Sequence, residues 1–421
     1  MRARFAALVL IPCCWGQEKL TLDEAVAIAL KNNPRVAFDR INALISEEST
    51  TAIRSGLYPS IVANTTAAGA TTDSRLAAGA LNNPIIYNRY AAGAAVSQLI
   101  TDFGRTSELV AGSRLRTRSQ QEALQASRAA VTLAVHRAYF SVLRAVGVMR
   151  VAEETDKARS VVVEQVSALA RSKLRSTLDV SFAEVNLSEA RLAVLAARNE
   201  RLQAVAELSL VLGYSRPHPL EPEDVPASTA MPPAADELIA EATQNRPELA
   251  ALRSEREAAL RVVAAERKLS LPTVSALANM GVAPVHDDRL KNRYAAAGIN
   301  LSVPVFNGHL FTARRNEAEL RVQAIDERLR EFENLIAREV TIAALNAQMA
   351  YERIGLTGQL LQQAKLSAEL AEERYALGLS SIVELTQAQL NLTGAETRGT
   401  TAKYDYLMQR SIVDYQSARL R

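Results

Sequence analysis

Cysteine is almost absent from this sequence of 421 residues, and its two copies, Cys13 and Cys14, both lie near the N-terminus. Residues 1–16 contain two arginines, then an eleven-residue apolar run, and end on a glycine, which is the pattern of a cleaved secretory signal peptide. We therefore expect a mature chain without thiols or disulfides. Lipid attachment at either cysteine stays open, although Pro12 makes a poor lipoprotein signal.

Long apolar runs and strong net charge are missing too. After the signal segment, no run approaches the roughly 18 apolar residues that a membrane-crossing helix needs. The formal net charge is only +3 at pH 7, which argues against nucleic acid as a partner because nucleic-acid binding needs a basic face. Aromatic residues make up 5% of the chain, while alanine, leucine, arginine and glutamate are abundant, and this composition favours long, closely packed helices.

Recognisable catalytic motifs are also absent. The sequence has no HExxH motif, no phosphate-binding loop and no cysteine nucleophile outside the signal segment. Its four histidines are scattered, and none has a partner at metal-ligand spacing: His136, His218, His286 and His309. We therefore predict that the protein is not an enzyme and has no metal site or cofactor, with a catalytic site built from distant residues as the open alternative.

What the sequence does contain is a long internal repeat. The pentapeptide NRYAA starts at Asn88 and again at Asn292, 204 residues later. LITDFG, ending at Gly104, and VPVFNG, ending at Gly308, follow at the same offset, whereas matching segments upstream are offset by 213. The sequence therefore predicts one duplicated half-structure, with a nine-residue length difference in a surface loop before Asn88.

Each half predicts the same series of elements. Thr21–Gly56 has the pattern of a helix that begins with a capping box at Thr21 and Glu24. The first repeat, 17–212, continues with strands at about 57–70 and 88–101, a long helix at about 104–172 and a helix at about 177–212. A proline-rich linker at 213–235 leads to the second repeat, 236–421, with a helix, strands at about 270–282 and 291–305, a long helix at about 309–376 and a helix at about 381–421.

Two periodicities support these assignments. Ile299, Leu301, Val303 and Val305 alternate with polar residues, as in a strand with one apolar face. In the long helices, apolar residues recur at spacings of four and three, which is typical of coiled-coil packing. Four strands cannot close a barrel, and lipid tolerates no open sheet edge. Three chains would supply twelve strands, enough for a barrel around a water-filled pore.

Four motifs carry a family resemblance: LTLDEAVAIALKNNP (Leu20–Pro34), DFGR (Asp102–Arg105), PVFNG (Pro304–Gly308) and RYALGLSSIVEL (Arg374–Leu385). In this order, and duplicated, they resemble the TolC-like outer-membrane efflux proteins over essentially the whole mature length. The resemblance implies an α+β membrane protein, a homotrimer whose twelve-strand transmembrane β-barrel sits in the outer membrane and continues as a long α-helical coiled-coil barrel in the periplasm. It also implies docking to a periplasmic adaptor protein and an inner-membrane transporter, and passage of substrates without chemistry.

The resemblance marks candidate aperture residues at the two turns that reverse the long helices. The family carries an arginine two residues after the turn glycine, whereas here Ser380 follows Gly378, and Arg175 takes the equivalent place in the first half. The residues that close the periplasmic end of the helical barrel, its mouth, are therefore an open question. The aperture candidates are Asp179, Arg175, Tyr375, Ser380, Glu384 and Gln387, and the candidates for adaptor docking are Leu174, Gly378, Leu379 and Ser380.

The two acidic candidates, Glu384 and Asp179, each lead to a hypothesis, and the strands lead to a third. Three copies of Glu384 would form a carboxylate ring that attracts cations, while Asp179 would pair with Arg175 or Tyr375 on a neighbouring hairpin. The alternative is that both acids are ordinary solvated side chains. Tyr90 and Tyr294 are expected to start the second strand of each hairpin near the membrane–water boundary, where aromatic side chains collect; the alternative is that they are hairpin residues that face solvent.

Three other classes of protein remain as alternatives. A porin-like channel would need many more strands in one chain. A periplasmic coiled-coil adaptor would have one helical hairpin, whereas this sequence has a duplicated pair. A secreted enzyme would have to work without a recognisable site.

Overall fold

The computed structural model describes residues 19–68, 76–78, 81–83, 89–226, 231, 233–282 and 292–420. The predicted signal peptide, both cysteines, Asn88 and His286 lie outside these residues. The chain divides into two compact units. The helical unit comprises Met1–Asp39, Leu124–Pro247 and Glu333–Arg421, and the sheet unit comprises Arg40–Ala123 and Glu248–Phe332.

The order of elements is the same in both halves of the chain: two helices, a pair of longer strands, a long helix and a shorter helix. The helices are α1 (Leu22–Asn32), α2 (Pro34–Ser55), α3 (Arg105–Arg171), α4 (Thr177–Val211), α5 (Ala235–Asn245), α6 (Pro247–Arg267), α7 (Leu310–Ala376) and α8 (Ile382–Gln416). The strands are β1 (Ser60–Ala68), β2 (Leu76–Ala78), β3 (Leu81–Asn83), β4 (Arg89–Thr101), β5 (Thr273–Val282) and β6 (Arg293–Ser302).

The long helices α3 and α7 each contain 67 residues, which corresponds to about 100 Å at 1.5 Å per residue. They and the shorter helices α4 and α8 begin within one residue of the starts predicted from the sequence. Among the described helices, none combines the length and the apolar character needed to cross a membrane.

Proline breaks the first predicted helix in two. The capping box forms as expected, with Thr21 Oγ1 accepting from the Glu24 amide at 3.3 Å and Glu24 Oε2 accepting from the Thr21 amide at 2.9 Å. The single helix predicted for Thr21–Gly56 is wrong, however, because the chain is extended at Asn33, between α1 and α2. The following Pro34 lacks an amide proton and disfavours a helical residue before it.

The same break recurs before Pro247, and both breaks are anchored to the end of a shorter helix. Asn33 Nδ2 donates to the carbonyl oxygen of Val211, at the end of α4, at 2.9 Å. Arg246, only 4% exposed, donates to the Gln416 side chain at the end of α8 and pairs with Glu339 at 3.5 Å. The residue after α1 is thus bonded to the end of α4, and the residue after α5 is bonded to the end of α8.

The sheet unit contains a four-stranded antiparallel sheet in the order β1-β4-β5-β6. β1 and β6 are its two edges. The predicted end of the last strand, at about 305, is too late: β6 stops at Ser302, because Pro304 cannot donate a hydrogen bond to a sheet ladder. The predicted start of β5 at about 270 is also early, since Lys268–Ser270 forms a short 3-10 helix.

The loop between β1 and β4 holds a feature that the sequence did not predict. The short strands β2 and β3 pair with each other, with Leu76 opposite Asn83 and Ala78 opposite Leu81. This two-stranded ribbon lies in the segment where the first half is nine residues longer than the second. Alanine, glycine and asparagine dominate there, and their low strand propensity explains why the pattern gave no strand signal.

The helical unit has an apolar core built from the predicted periodic positions. On α3, the periodic positions Val135, Ala138 and Val142 are buried, at 0%, 5% and 1% exposure. They pack with Leu208 of α4 and with residues of α1 and α8 in one cluster. The spacing of four and three residues places these side chains on one face of α3, which is why the pattern identified them.

Candidate aperture at the two helix turns

The two turns that join long and shorter helices have the same local construction. Ser176 caps α4 by accepting a hydrogen bond from the Leu178 amide at 3.1 Å, and Ser381 caps α8 by accepting from the Glu384 amide at 3.3 Å. Each turn also contains one left-handed residue, Lys173 with φ 60° and Gly378 with φ 76°. Left-handed backbone after a helix is the usual way to reverse the chain, and glycine tolerates it best.

Arg175 joins the first turn to the second. Its Nη2 donates to the backbone carbonyl of Tyr375 at 2.7 Å, and its guanidinium carbon lies 4.3 Å from the centre of the Tyr375 ring. Tyr375 is buried, at 7% exposure, among Val166 of α3 and Ile382 and Leu385 of α8. Burial raises the pKa of Tyr375, Arg175 opposes that rise, and the nearby Asp179 carboxylate adds to it. Of the aperture candidates, the structure therefore brings Arg175 and Tyr375 into direct contact.

The two predicted gate carboxylates have different surroundings. Asp179 is half-buried, and its carboxylate makes no hydrogen bond or ion pair within the described residues. Glu384 pairs with Arg374, with 3.5 Å between Oε1 and Nε. Since both side chains are about half exposed, at 45% and 56%, the pair contributes at most about 1 kcal/mol. Arg374 lies in the quoted RYALGLSSIVEL motif, but its pairing with Glu384 could not be predicted, because sequence spacing does not show which charges meet across a turn.

The remaining aperture candidates do not join a network. Gln387 Nε2 donates to Asn391 Oδ1 on the same helix at 3.1 Å. Ser380 Oγ and the Tyr375 hydroxyl are both buried without a hydrogen-bond partner in the described chain, and such groups are uncommon in folded proteins. Leu174 and Leu379 are 71% and 67% exposed, so each turn presents an apolar side chain to its surroundings.

The predicted boundary tyrosines lie at the starts of β4 and β6. Tyr90 is the second residue of β4, and its side chain lies outside what the structure describes. Tyr294, the second residue of β6, is 47% exposed, and its hydroxyl lies 2.5 Å from where a Cβ atom would stand on either Gly93 or Gly281. The ring thus crosses two neighbouring strands at positions where only glycine leaves room for it.

Comparison with known proteins identifies the family of this chain. The family model described as outer membrane efflux protein matches residues 25–214 and 238–411. The chain belongs to the outer membrane efflux protein family. The unmatched stretch between the two segments coincides with the proline-rich linker, and the predicted localisation in the outer membrane is confirmed by this membership.

Curated relatives of this efflux-family chain are distant. It is 22% identical to the outer membrane protein TolC of Escherichia coli strain K12 over 304 residues, which cover 69% of this chain and 62% of TolC. It is 27% identical over 322 residues to the probable efflux pump outer membrane protein TtgC of Pseudomonas putida, and these residues cover 74% of this chain and 65% of TtgC. The chain therefore spans less than two thirds of the length of these relatives.

Solved structures of efflux-family channels share the fold. The structure of CusC superposes with a TM-score of 0.81 at 17% identity, covering 95% of this chain and 92% of CusC. The open state of the Neisseria gonorrhoeae MtrE outer membrane channel gives a TM-score of 0.77 at 20% identity, covering 94% of this chain and 88% of MtrE. The predicted resemblance to TolC-like proteins is confirmed at the level of the fold.

Proposed function

We propose that the protein is an outer-membrane exit duct for efflux or secretion, which passes substrates outward without chemistry of its own. Family membership over most of the chain supports this proposal. The relatives named above are called efflux pump or outer membrane proteins, and the solved neighbours are channels. No feature of the described chain favours the alternative of a periplasmic adaptor.

The open sheet is the observation that carries the proposal. Within the described chain, β1 and β6 have no partner on their outer edges, and an unpaired edge costs free energy in lipid. Neighbouring strands alternate in direction, so β6 of one copy would meet β1 of the next in the same antiparallel sense. Ile61 and Ile299, on these two edge strands, are 70% and 74% exposed. Three copies would close a twelve-strand barrel.

An apolar stripe on α4 gives independent support for association. Its members recur at spacings of four, three and seven residues, as the seam of a coiled coil does. All are exposed in the single chain, between 43% and 66%: Leu178, Phe182, Val185, Leu192, Leu195 and Leu202. A surface stripe of this size is unusual on a monomer, and we propose that a long helix of a neighbouring copy covers it.

The duct would work with a periplasmic adaptor protein and an inner-membrane transporter. The exposed apolar residues of the turns, Leu174 and Leu379, support a docking site there, beside the proposed aperture. In three copies, the Glu384 carboxylates would ring the axis and attract cations, although Arg374 reduces their charge. Asp179, whose carboxylate makes no hydrogen bond or ion pair among the described residues, would bond to a neighbouring hairpin and hold the mouth closed.

Single-channel recording of the purified protein in planar bilayers tests this function. We expect discrete conductance steps, lower cation selectivity for Glu384→Ala and higher conductance for Asp179→Ala. Glu48→Ala, an exposed acid on α2, serves as the control and should match wild type. Bilayers that stay sealed at every protein concentration would contradict the duct, whereas conducting variants indistinguishable from wild type would contradict only the aperture assignment.

A further inference from the structure

One face of the four-stranded sheet, which we call the apolar face, carries large apolar side chains. Residues that pair across an antiparallel ladder share a face, as do residues two apart along a strand. Four members of the apolar face, assigned in this way, are large and exposed: Ile61, Met280, Ile299 and Leu301. Gln98 also belongs to this face, and its amide nitrogen already donates to the backbone carbonyls of Leu57 and Leu99, at 3.0 and 2.7 Å.

The opposite face, which we call the polar face, carries side-chain amides and hydroxyls. On β5 and β6 its polar members are Thr273, Ser275, Asn279, Asn300 and Ser302. An amide or hydroxyl that faces hydrocarbon without a hydrogen-bond partner costs free energy, whereas water provides partners. Val62, Leu99 and Leu277 interrupt the pattern, but the side-chain amides lie on both sides of Leu277. A sheet with two such faces divides hydrocarbon from water.

The register assigns Tyr294 to the polar face. Asn64, Gly93, Gly281 and Tyr294 lie directly opposite one another in a single row across the four strands. The Tyr294 ring lies along this row, because its hydroxyl is 2.5 Å from where a Cβ atom would stand on either glycine. The side chain is nevertheless 47% exposed, so the ring is open to the medium that borders the polar face. On the apolar face, the neighbouring position of β6 is Ala295.

We propose that Tyr294 lines the water-filled lumen of the barrel, and that it is not a lipid-facing residue of the membrane–water boundary. Gly93 and Gly281 let the ring lie along the wall of the lumen, where a larger residue at either position would push the ring into the passage. Three copies would place three such rings at one level of the barrel. This inference rests on the proposed duct, because only a closed barrel has a lumen.

Spin labels placed one at a time along β6 test this assignment. The label is attached to Tyr294→Cys, Ala295→Cys, Asn300→Cys or Leu301→Cys in a chain whose Cys13 and Cys14 are replaced by serine, which leaves no other cysteine. In reconstituted lipid bilayers, the accessibility of each label to oxygen, which dissolves in hydrocarbon, is compared with its accessibility to a water-soluble nickel chelate. Ala295→Cys is the matched control, because it lies one residue from Tyr294 on the opposite face.

We expect the ratio of nickel to oxygen accessibility to be several-fold higher for Tyr294→Cys than for Ala295→Cys. Asn300→Cys and Leu301→Cys should differ in the same sense further along the strand. A ratio for Tyr294→Cys equal to or below that of Ala295→Cys, with the second pair differing as expected, would overturn the inference and leave the duct intact. Equal ratios at all four positions would contradict the barrel itself, and with it the proposed duct.

Discussion

At the scale of single residues, the sheet depends on two glycines beneath one tyrosine. A Cβ atom on Gly281 would lie 2.5 Å from the Tyr294 hydroxyl and 2.6 Å from the carbonyl oxygen of Ala92. The ring can turn away, but the backbone oxygen belongs to the paired strand and cannot move without disturbing the ladder. Such overpacking typically costs about 1–3 kcal/mol.

We therefore predict that Gly281→Ala lowers the melting temperature of the detergent-solubilised protein. The matched control is Gly298→Ala on β6, where nothing lies within 4 Å of the added methyl group. Equal melting temperatures for the two variants would show that the tyrosine and its neighbouring strand tolerate the methyl group.

The contacts of individual side chains were the feature least predictable from the sequence. The aperture candidates were found because the resemblance marked them, and Arg175 was noticed because it stands where the second half has Ser380. Its contact with the Tyr375 ring could not be predicted, since the two residues are 200 positions apart. The same holds for Arg159 of α3, which is only 5% exposed and donates to the backbone carbonyl of Asn186 on α4 at 3.2 Å.

At the scale of elements, the reversal of a long helix depends on one backbone conformation. Gly378 has φ 76°, and no atom lies within 4 Å of where its Cβ would stand. Alanine there would meet no steric clash with other residues, only the cost of left-handed backbone, about 1–2 kcal/mol.

We predict that Gly378→Ala lowers the midpoint of thermal unfolding, whereas Gly358→Ala raises it. Gly358 is exposed in the interior of α7 and equally free of neighbours, and alanine is favoured over glycine inside a helix by about 1 kcal/mol. The two variants make the same chemical change, so a shift of the same sign in both would contradict this account of the turn.

The proline-rich linker is held in place by two tyrosines from different helices. The Tyr139 hydroxyl on α3 lies 2.8 Å from the carbonyl oxygens of both Leu20 and Glu223 and shares its one proton between them. The Tyr404 hydroxyl on α8 donates to Asp224 Oδ1 at 3.1 Å. Burial raises the pKa of each tyrosine to about 12. Folding therefore favours the protonated phenol, which must be kept for the linker to stay bound.

This pKa shift predicts a loss of stability at high pH. The stabilisation is fully present below pH 10.0, the ordinary pKa of tyrosine, and is lost as the pH rises through about 12. The Tyr139→Phe, Tyr404→Phe double variant should melt lower at neutral pH but show a shallower decline between these two pH values. Tyr58→Phe, which changes a tyrosine that is 54% exposed, is the control. A decline as steep as that of wild type in the double variant would refute the assignment.

Elements were the most predictable part of this fold. The long helices follow from an uninterrupted apolar periodicity without proline, and capping serines or glycines mark where α4 and α8 begin and α7 ends. Pro34 is a signal for a break between α1 and α2, but the helical pattern on both sides of it favoured one continuous helix. The ribbon of β2 and β3 could not be predicted, because its small residues do not alternate between apolar and polar as strand residues do.

At the scale of the whole molecule, the described residues of a single chain leave apolar surface and sheet edges uncovered. Ile61 lies on β1 and Ile299 on β6, whose outer edges are unpaired within the described part of the chain, and the α4 stripe adds an exposed apolar surface on a helix. Counting strands predicted this incompleteness from the sequence, because four strands cannot form a closed barrel. Which residues of two copies meet could not be predicted, since register between chains depends on the tilt of the strands.

We propose that β1 of one copy pairs with β6 of the next until three copies close a ring. Disulfide trapping tests it directly, using Ile61→Cys combined in turn with cysteine at Ile299, Asn300 or Leu301, in a chain without Cys13 and Cys14. After oxidation in the membrane, we expect at least one pair to give covalent species of two and three chains and none larger. The single-cysteine variants should give no species of three chains. Only uncrosslinked chains in every pair, or a ladder that continues beyond three chains, would contradict the closed trimeric duct.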